Sequence, residues 1–221
     1  MEIIRYASLR AEPWRNGGGV TRELASHPTP AGGGTAPDGD WDWRVSIAEI
    51  SRAGAFSTFH GMDRVLTVID GELLLLTVDG ADHPLERYRP FRFPGDAEAT
   101  AALPTGDIRD LNVITRNGAF KGYTSIIELS KKRAHPVFEG QLGILLQGQA
   151  TVSLGNAGAG DDSAAGAGAE TDDGGANAAA APGAPPETLD RYDAVVGSDH
   201  RTPEILGRGF LAVVSIDRVT S

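Results

Sequence analysis

Apolar residues recur at every second position through much of this chain. From Trp41 to Ile50, Trp41, Trp43, Val45 and Ile47 share one face, while Asp42, Arg44, Ser46 and Ala48 share the other. That alternation is the signature of a half-buried strand. Further strands are expected at Glu2–Tyr6, Val20–Ala25, Arg64–Ile69, Glu72–Val78, Tyr88–Phe93, Arg109–Thr115, Tyr123–Leu129, Ile144–Leu146, Gln149–Leu154, Thr188–Val196 and Phe210–Val219. Asp70-Gly71, Asp79-Gly80, Pro94-Gly95 and Asn117-Gly118 punctuate them as turns. No segment sustains a 3.6-residue apolar period. Many short strands separated by Gly and Pro predict an all-β sandwich or barrel.

An internal echo refines this. Gly71-Glu72-Leu73-Leu74-Leu75-Leu76 followed by Leu85-Glu86-Arg87-Tyr88 resembles Gly148-Gln149-Ala150-Thr151-Val152 followed by Leu189-Asp190-Arg191-Tyr192. The order is the same in each half, which predicts two related β units, 1–130 and 131–221, joined near the solvated run Lys131-Lys132-Arg133. His27–Asp40 is a Pro/Gly-rich stretch expected to form a loop. Residues 155–186, dominated by Gly, Ala, Asp and Pro, lack any aromatic residue or Leu, Ile and Val apart from the flanks. Such a segment buries too little apolar surface to offset its ordering entropy and is expected to be a mobile, disordered loop interrupting the second unit.

Composition narrows the function. A chain of 221 residues, 40% hydrophobic and 23% charged, is ordinary for a soluble globular protein. No run approaches the ~20 apolar residues of a membrane-spanning helix, and the N-terminus lacks the pattern of a secretory signal. Zero cysteines exclude disulfides and thiolate chemistry. Together these features predict a cytoplasmic protein with no membrane partner. A formal net charge of −10 argues against general nucleic-acid binding, which needs a cationic face.

Candidate chemistry centres on Pro13-Trp14-Arg15-Asn16-Gly17-Gly18-Gly19-Val20-Thr21-Arg22-Glu23. It is either a Gly-rich turn between early strands or one wall of a site whose indole, guanidiniums, amide and hydroxyl grip an anionic ligand. The run is neither G-x-G-x-x-G nor a phosphate loop. Polar groups inside strands add to it: Arg44 and Ser46, Arg64, and Asp110, Asn112 and Arg116 on one face of their strand. If these converge, they form a cationic pocket for a carboxylate, with Asp110 buffering an Arg; otherwise they are scattered surface charges. The five histidines, His27, His60, His83, His135 and His200, form no H-x-H or H-x-x-x-H pair, so neither a metal nor another cofactor is expected. His27, His83 and His135 adjoin Pro and are expected in exposed loops.

Taken together, these segments resemble the HutD/Ves family of cupin-like proteins linked to bacterial histidine utilisation. The likeness is carried by the Trp14–Glu23 stretch, by Asp42-Trp43-Arg44-Val45-Ser46-Ile47-Ala48-Glu49 and by Gly54-Ala55-Phe56-Ser57-Thr58-Phe59-His60-Gly61-Met62-Asp63-Arg64. Pro90-Phe91-Arg92-Phe93-Pro94-Gly95-Asp96 and Arg109-Asp110-Leu111-Asn112-Val113-Ile114-Thr115-Arg116 complete it. Arg15 stands where the family usually has Lys, a planar fork in place of a point charge. The resemblance implies a bicupin, two jelly-roll-like (RmlC-type) barrels in one chain. It also places Thr58, His60 and Arg64 where metal cupins carry two His and a Glu, which implies an anion pocket in place of the metal.

The function expected on this basis is metal-free binding of a small carboxylate, as a sensor or modulator in histidine catabolism. Urocanate, N-formylglutamate and formate are the candidate ligands. Arg64 and Arg44 would clamp the carboxylate, Asn16, Ser46 and Asn112 would orient the remainder, and Trp14 would wall it. Arg15, Thr21, His60 and Arg116 complete the expected set, with Arg22 either touching ligand or bracing the site. The alternative is a metal-independent isomerase or hydrolase using His60 and Asp63 as acid and base. Oligomeric state is left open, a homodimer included.

Overall fold

Period-two alternation becomes 17 strands in a computed structural model that describes residues 1–29, 41–155 and 185–220. They are β1 (Glu2–Ile4), β2 (Glu12–Pro13), β3 (Gly19–Pro28), β4 (Trp41–Ile50), β5 (Gly54–Ala55) and β6 (Met62–Asp70). Then come β7 (Leu73–Val78), β8 (Ala81–Glu86), β9 (Phe91–Pro94), β10 (Ala99–Ala102), β11 (Ile108–Arg116) and β12 (Phe120–Leu129). The chain closes with β13 (His135–Pro136), β14 (Gln141–Leu154), β15 (Glu187–Leu189), β16 (Ala194–Val196) and β17 (Pro203–Arg218). Among the described residues the helical content is one 3₁₀ turn, Tyr6–Ser8. Most of the expected loop at 27–40 and nearly all of the low-complexity stretch at 155–186 lie outside the described residues.

The strands form three antiparallel sheets. A six-stranded sheet runs β2-β3-β4-β11-β6-β9, and a four-stranded sheet runs β5-β10-β7-β8. The third follows β1-β16-β14-β17-β12, with β13 on β17 and β15 on β14. Hydrogen bonding does not part at residue 130. β1 pairs β16, and β12 pairs β17 from Phe120↔Arg218 to Leu129↔Gly209. Both strands precede residue 130, yet both complete the sheet built by the chain that follows it.

The two large sheets bury one face against each other. Leu24, Val45, Ile47, Val65, Ile69, Leu111 and Val113 pack with Leu142, Ile144, Leu146, Ala212 and Val214 in one apolar cluster. Burying each such side chain contributes about 1.5–3 kcal/mol. The remaining face of the six-stranded sheet meets the four-stranded one through Ala48, Ile50, Leu66, Val68, Leu74, Leu76, Ala99, Ala101 and Ile108. Arg44 and Ser46 of β4, Arg64 of β6, and Asp110 and Asn112 of β11 lie on this second face, which places a site between those two sheets.

Several expectations are corrected. Trp41 does not share a face with Trp43 and Val45; it packs with Phe59, Met62 and Ile114. The cause is a bulge: His27 opposes Trp43 and Pro28 opposes Trp41, so Asp42 is an extra residue and the alternation changes phase. His27, His83 and His135 all sit on strands and are half-buried rather than in exposed loops. The strands expected at Ile144–Leu146 and Gln149–Leu154 are one strand, continued across a register shift after Leu145.

The echo has a structural counterpart. Tyr88 and Tyr192 both adopt left-handed backbone conformations, at φ 67° and 72°, which non-glycine residues seldom do. Each amide is held by a carbonyl of the neighbouring large sheet, Val68 for Tyr88 and Leu145 for Tyr192. Each ring lies under the preceding arginine, Arg87 or Arg191. The tyrosines therefore mark turns, between β8 and β9 and between β15 and β16, where continuous strands were expected.

Candidate functional site

The Gly-rich stretch is the connection between β2 and β3. The Trp14 amide donates to the Gly19 carbonyl and the Gly17 amide to the Trp14 carbonyl. Gly17 adopts φ 68°. At Gly19 a Cβ would lie 2.5 Å from the Glu49 carbonyl and 3.3 Å from the Trp14 ring, so a side chain there would force β3 away from β4 and press on the indole. The turn thus sets Trp14 in place, and Trp14 Nε1 donates to Thr21 Oγ1 at 2.8 Å.

Beside this turn a cavity of about 750 Å³ opens between the six-stranded and four-stranded sheets. Its volume falls within the range of small-molecule sites. Of the expected residues it gathers Trp14, Arg15, Asn16, Thr21, Arg44, Ser46, Arg64 and Asn112. The β4–β11–β6 register explains the convergence. Asn112 lies opposite Ser46 and Leu66, and Ile114 opposite Arg44 and Arg64, so all these side chains share one sheet face.

Arg64 dominates the floor. It is 2% exposed, and its guanidinium carbon lies 4.9 Å from the Phe93 ring centroid, 5.1 Å from Phe56 and 5.3 Å from Phe59. The contact is cation–π in character. Nη1 donates to the Ser57 carbonyl at 3.2 Å, while Nε has no partner. No carboxylate among the described residues forms an ion pair with it. Burial pulls its pKa down to about 10, opposed by the attraction of Asp110, while Arg44 pushes it further down.

Asp110 lies deeper on the same face of β11. It is wholly buried, and among the described residues neither carboxylate oxygen has a hydrogen-bond partner. Burial raises its pKa to about 7 despite the charge of Arg64. Asn112 Oδ1 is likewise buried and unpartnered. Arg44 is only loosely engaged, with Nε 3.6 Å from Glu23 Oε2. An anion entering this space would meet donors whose hydrogen-bonding capacity is unspent.

Some expected residues are used otherwise. Asn16 Oδ1 accepts from the Gly18 amide at 2.9 Å, so that oxygen braces the turn. Thr21 holds Trp14. Arg22 faces away from the cavity, donating to Glu49 Oε1 and to the Tyr6 hydroxyl. It joins a lattice in which Arg109 bridges Glu49 and Asp70, each at 3.2 Å, and Arg191 reaches Asp70 at 3.0 Å. Burial alone would raise Glu49, but Arg109 and Arg22 outweigh it and hold the carboxyl below its usual range.

Arg116 lies beyond the cavity, where Nε donates to Asp42 Oδ1 at 2.7 Å. His60 is 76% exposed and contacts Asp96 at 2.7 Å. Asp63 is half-buried, 3.9 Å from Arg92. The acid–base pair suggested for an enzyme is therefore not assembled: each member has a different partner outside the cavity.

The lining also holds Thr58, at its position in the metal-cupin alignment, and Glu12, Glu23, Phe56, Ser57 and Phe59, which were not expected there. Glu23 stands two residues from Thr21 on the same strand face, a signal present in the alternation. Alternation also puts Arg22 on the opposite face from Thr21, a signal that argued against placing both in one pocket.

A divalent cation does not fit this donor set. Of the positions that align with the metal-cupin motif, Thr58 lines the cavity, His60 lies outside it and Arg64 brings a guanidinium. The lining carboxylates Glu12 and Glu23 are exposed, and Glu23 is engaged by Ser26 and Arg44. Among the described residues no three His, Asp or Glu side chains converge.

The comparisons with known proteins agree with this architecture. The chain is 38% identical over 130 residues to protein Ves of Citrobacter koseri, covering 57% of this chain and 64% of that one. It is also 38% identical over 115 residues to an uncharacterised 21.2 kDa protein in the hutC 3′ region of Pseudomonas putida, covering 52% and 57%. The matched stretch thus spans about three-fifths of the length of these relatives. The structure of HutD from Pseudomonas fluorescens, determined in a formate condition, superposes with a TM-score of 0.69 at 26% identity, covering 99% of both chains. A cupin 2 conserved barrel protein from Leptotrichia buccalis shares the fold at 6% identity, with a TM-score of 0.54 over 99% of this chain and 96% of that one. The HutD family profile matches residues 6–211, and the chain belongs to the HutD family.

Proposed function

We propose that the cavity binds a small carboxylate and that the protein acts as a metal-free sensor or modulator linked to histidine utilisation. One observation carries this reading: a fully buried guanidinium, Arg64, lies at the floor of an open cavity without an ion-pair partner among the described residues. Holding a desolvated charge without a paired anion is costly, and an anion entering the cavity would offset that cost. Three phenylalanine rings line Arg64, which leaves the edge of the guanidinium for a coplanar carboxylate. The cavity has room for more than formate, so the carboxyl group of a larger acid such as urocanate or N-formylglutamate would occupy the floor. Ser46, Asn112 and Arg44 would then meet its polar remainder, with Trp14 as the wall. The association of the family with hut genes supports the choice of these acids. We further propose that the chain comprises two cupin-like units that exchange edge strands, as the pairings of β1 and β12 suggest.

The test is a thermal-shift and calorimetric screen of formate, urocanate and N-formylglutamate against wild type and Arg64→Met. At a ligand concentration of about 100 times the wild-type Kd, stabilisation of roughly 2.7 kcal/mol is expected for wild type and only about 0.3–1.4 kcal/mol for the variant. Equal binding by both proteins would sink the assignment. Conversion of any of these acids on incubation would replace the sensor reading with an enzymatic one.

A further inference from the structure

The carboxylate reading leaves one group unexplained. Asp110 is a wholly buried carboxyl with both oxygens unpartnered, one sheet position away from the residues that line the cavity. Every element around it is accounted for. On β4 the same face carries Arg44, Ser46, Ala48 and Ile50, and on β6 it carries Arg64, Leu66 and Val68. Across the interior, the four-stranded sheet supplies Leu74, Leu76, Val78, Ala99 and Ala101, none of which titrates. Among the described residues the charged groups on these faces are Arg64 and Arg44, with Arg15, Glu12 and Glu23 exposed at the mouth. Arg64 and Asp110 are thus each other's nearest compensation, close enough to attract but not within ion-pair contact.

Resting on the carboxylate reading of this cavity, we propose that Asp110 takes up one proton from solvent when an anion settles on Arg64. The ligand stays ionised, the proton adds to a carboxylate oxygen of Asp110, and the buried charge count is preserved. The physical reason is competition. If Asp110 stayed ionised, two negative groups would share one guanidinium in a desolvated space, where like charges repel strongly. Protonation removes the conflict. Asp110 is already poised for it, since burial sets its pKa at about 7 with Arg64 pulling it down. An anion that cancels that pull moves it higher still. The deep site consequently takes one carboxylate group, which one guanidinium balances.

The sign follows from linkage. Below about pH 7 Asp110 is already neutral and affinity is flat; above it, binding must recruit a proton, and Kd rises about tenfold per pH unit until the liganded pKa is passed. The experiment is calorimetric titration of sodium formate and of urocanate into the full-length protein between about pH 6 and pH 9, in two buffers of different ionisation enthalpy. Proton uptake should climb towards one per site as pH rises above about 7. Asp110→Asn should bind without uptake and with less than about twofold change in Kd over the same range. Wild-type data alone suffice if that variant does not fold. Binding that is pH-independent and proton-neutral in wild type would overturn this proposal and leave the carboxylate site standing. No binding of either acid at any pH would remove both.

Discussion

The two large sheets use their faces differently, and the contrast locates the site. The seven-stranded sheet turns Leu129, Val137, Leu145, Ala150, Val152, Leu189, Val195, Ile205, Leu211 and Val213 to the side away from the shared core, an all-aliphatic filling. The corresponding face of the six-stranded sheet begins the same way, with Ala48, Ile50, Leu66 and Val68, and then changes. Arg44, Ser46, Arg64, Asp110 and Asn112 replace aliphatic residues, and there the cavity opens. One interior is closed by packing. The other keeps polar groups that cannot satisfy one another, which makes it available to a ligand.

The largest expected effect tests the closed side. Leu211→Ala should cost about 2–5 kcal/mol of unfolding free energy while leaving ligand affinity unchanged. A shift in affinity as large as the stability loss would mean the two interiors are not separate in function.

Asp110→Asn tests the open side in the opposite direction. The folded pKa of about 7 lies above the usual 3.8, so the folded state binds a proton through that window and the unfolded state does not. Stability contributed by the neutral carboxyl is therefore present at low pH, falls as pH rises from about 4 to 7, and stays low above that. The asparagine variant should be more stable than wild type by about 2–4 kcal/mol near pH 8 and nearly equal near pH 4. Urea unfolding at both values checks this; a constant difference would show that Asp110 does not titrate in the fold.

Next in size is Arg64→Met, which removes a charge-assisted contact of about 1.5–3 kcal/mol. Carboxylate Kd should weaken roughly 10- to 150-fold, with folding retained because a flexible apolar chain replaces a buried cation. The smallest effect separates cavity from rim. His60→Ala should change Kd by less than about twofold, since the imidazole faces solvent. A tenfold loss there would return His60 to the site.

Much of the fold was legible because alternation is a local property. Val45, Ile47, Leu111 and Val113 announce one buried face, and Arg44, Ser46, Asp110 and Asn112 the other, before any strand is paired. Arg64 was legible through the resemblance, as the residue at a carboxylate position in the metal-binding pattern. Arg116 was not, because an arginine on a strand reads alike whether it faces an interior or a partner; alternation set Arg22 opposite Thr21 but did not say which group holds it. Only pairing showed that Glu49 claims Arg22 and that Asp42 claims Arg116.

The amino-acid sequence by itself determined that the chain is all-β, where most of its polar strand faces fall and that the glycines at 17–19 free the backbone between two early strands. Those properties depend on side-chain alternation and glycine backbone freedom within a few residues. Tertiary structure decided the rest: that β1 and β12 complete the sheet formed by the later chain, that a bulge at Asp42 reverses Trp41, and that Phe56, Phe59 and Phe93 enclose one guanidinium. It also decided that Arg64 and Asp110 share a desolvated interior. The electrostatic state of such a pair depends on what surrounds it in three dimensions, and no local pattern along the chain encodes that.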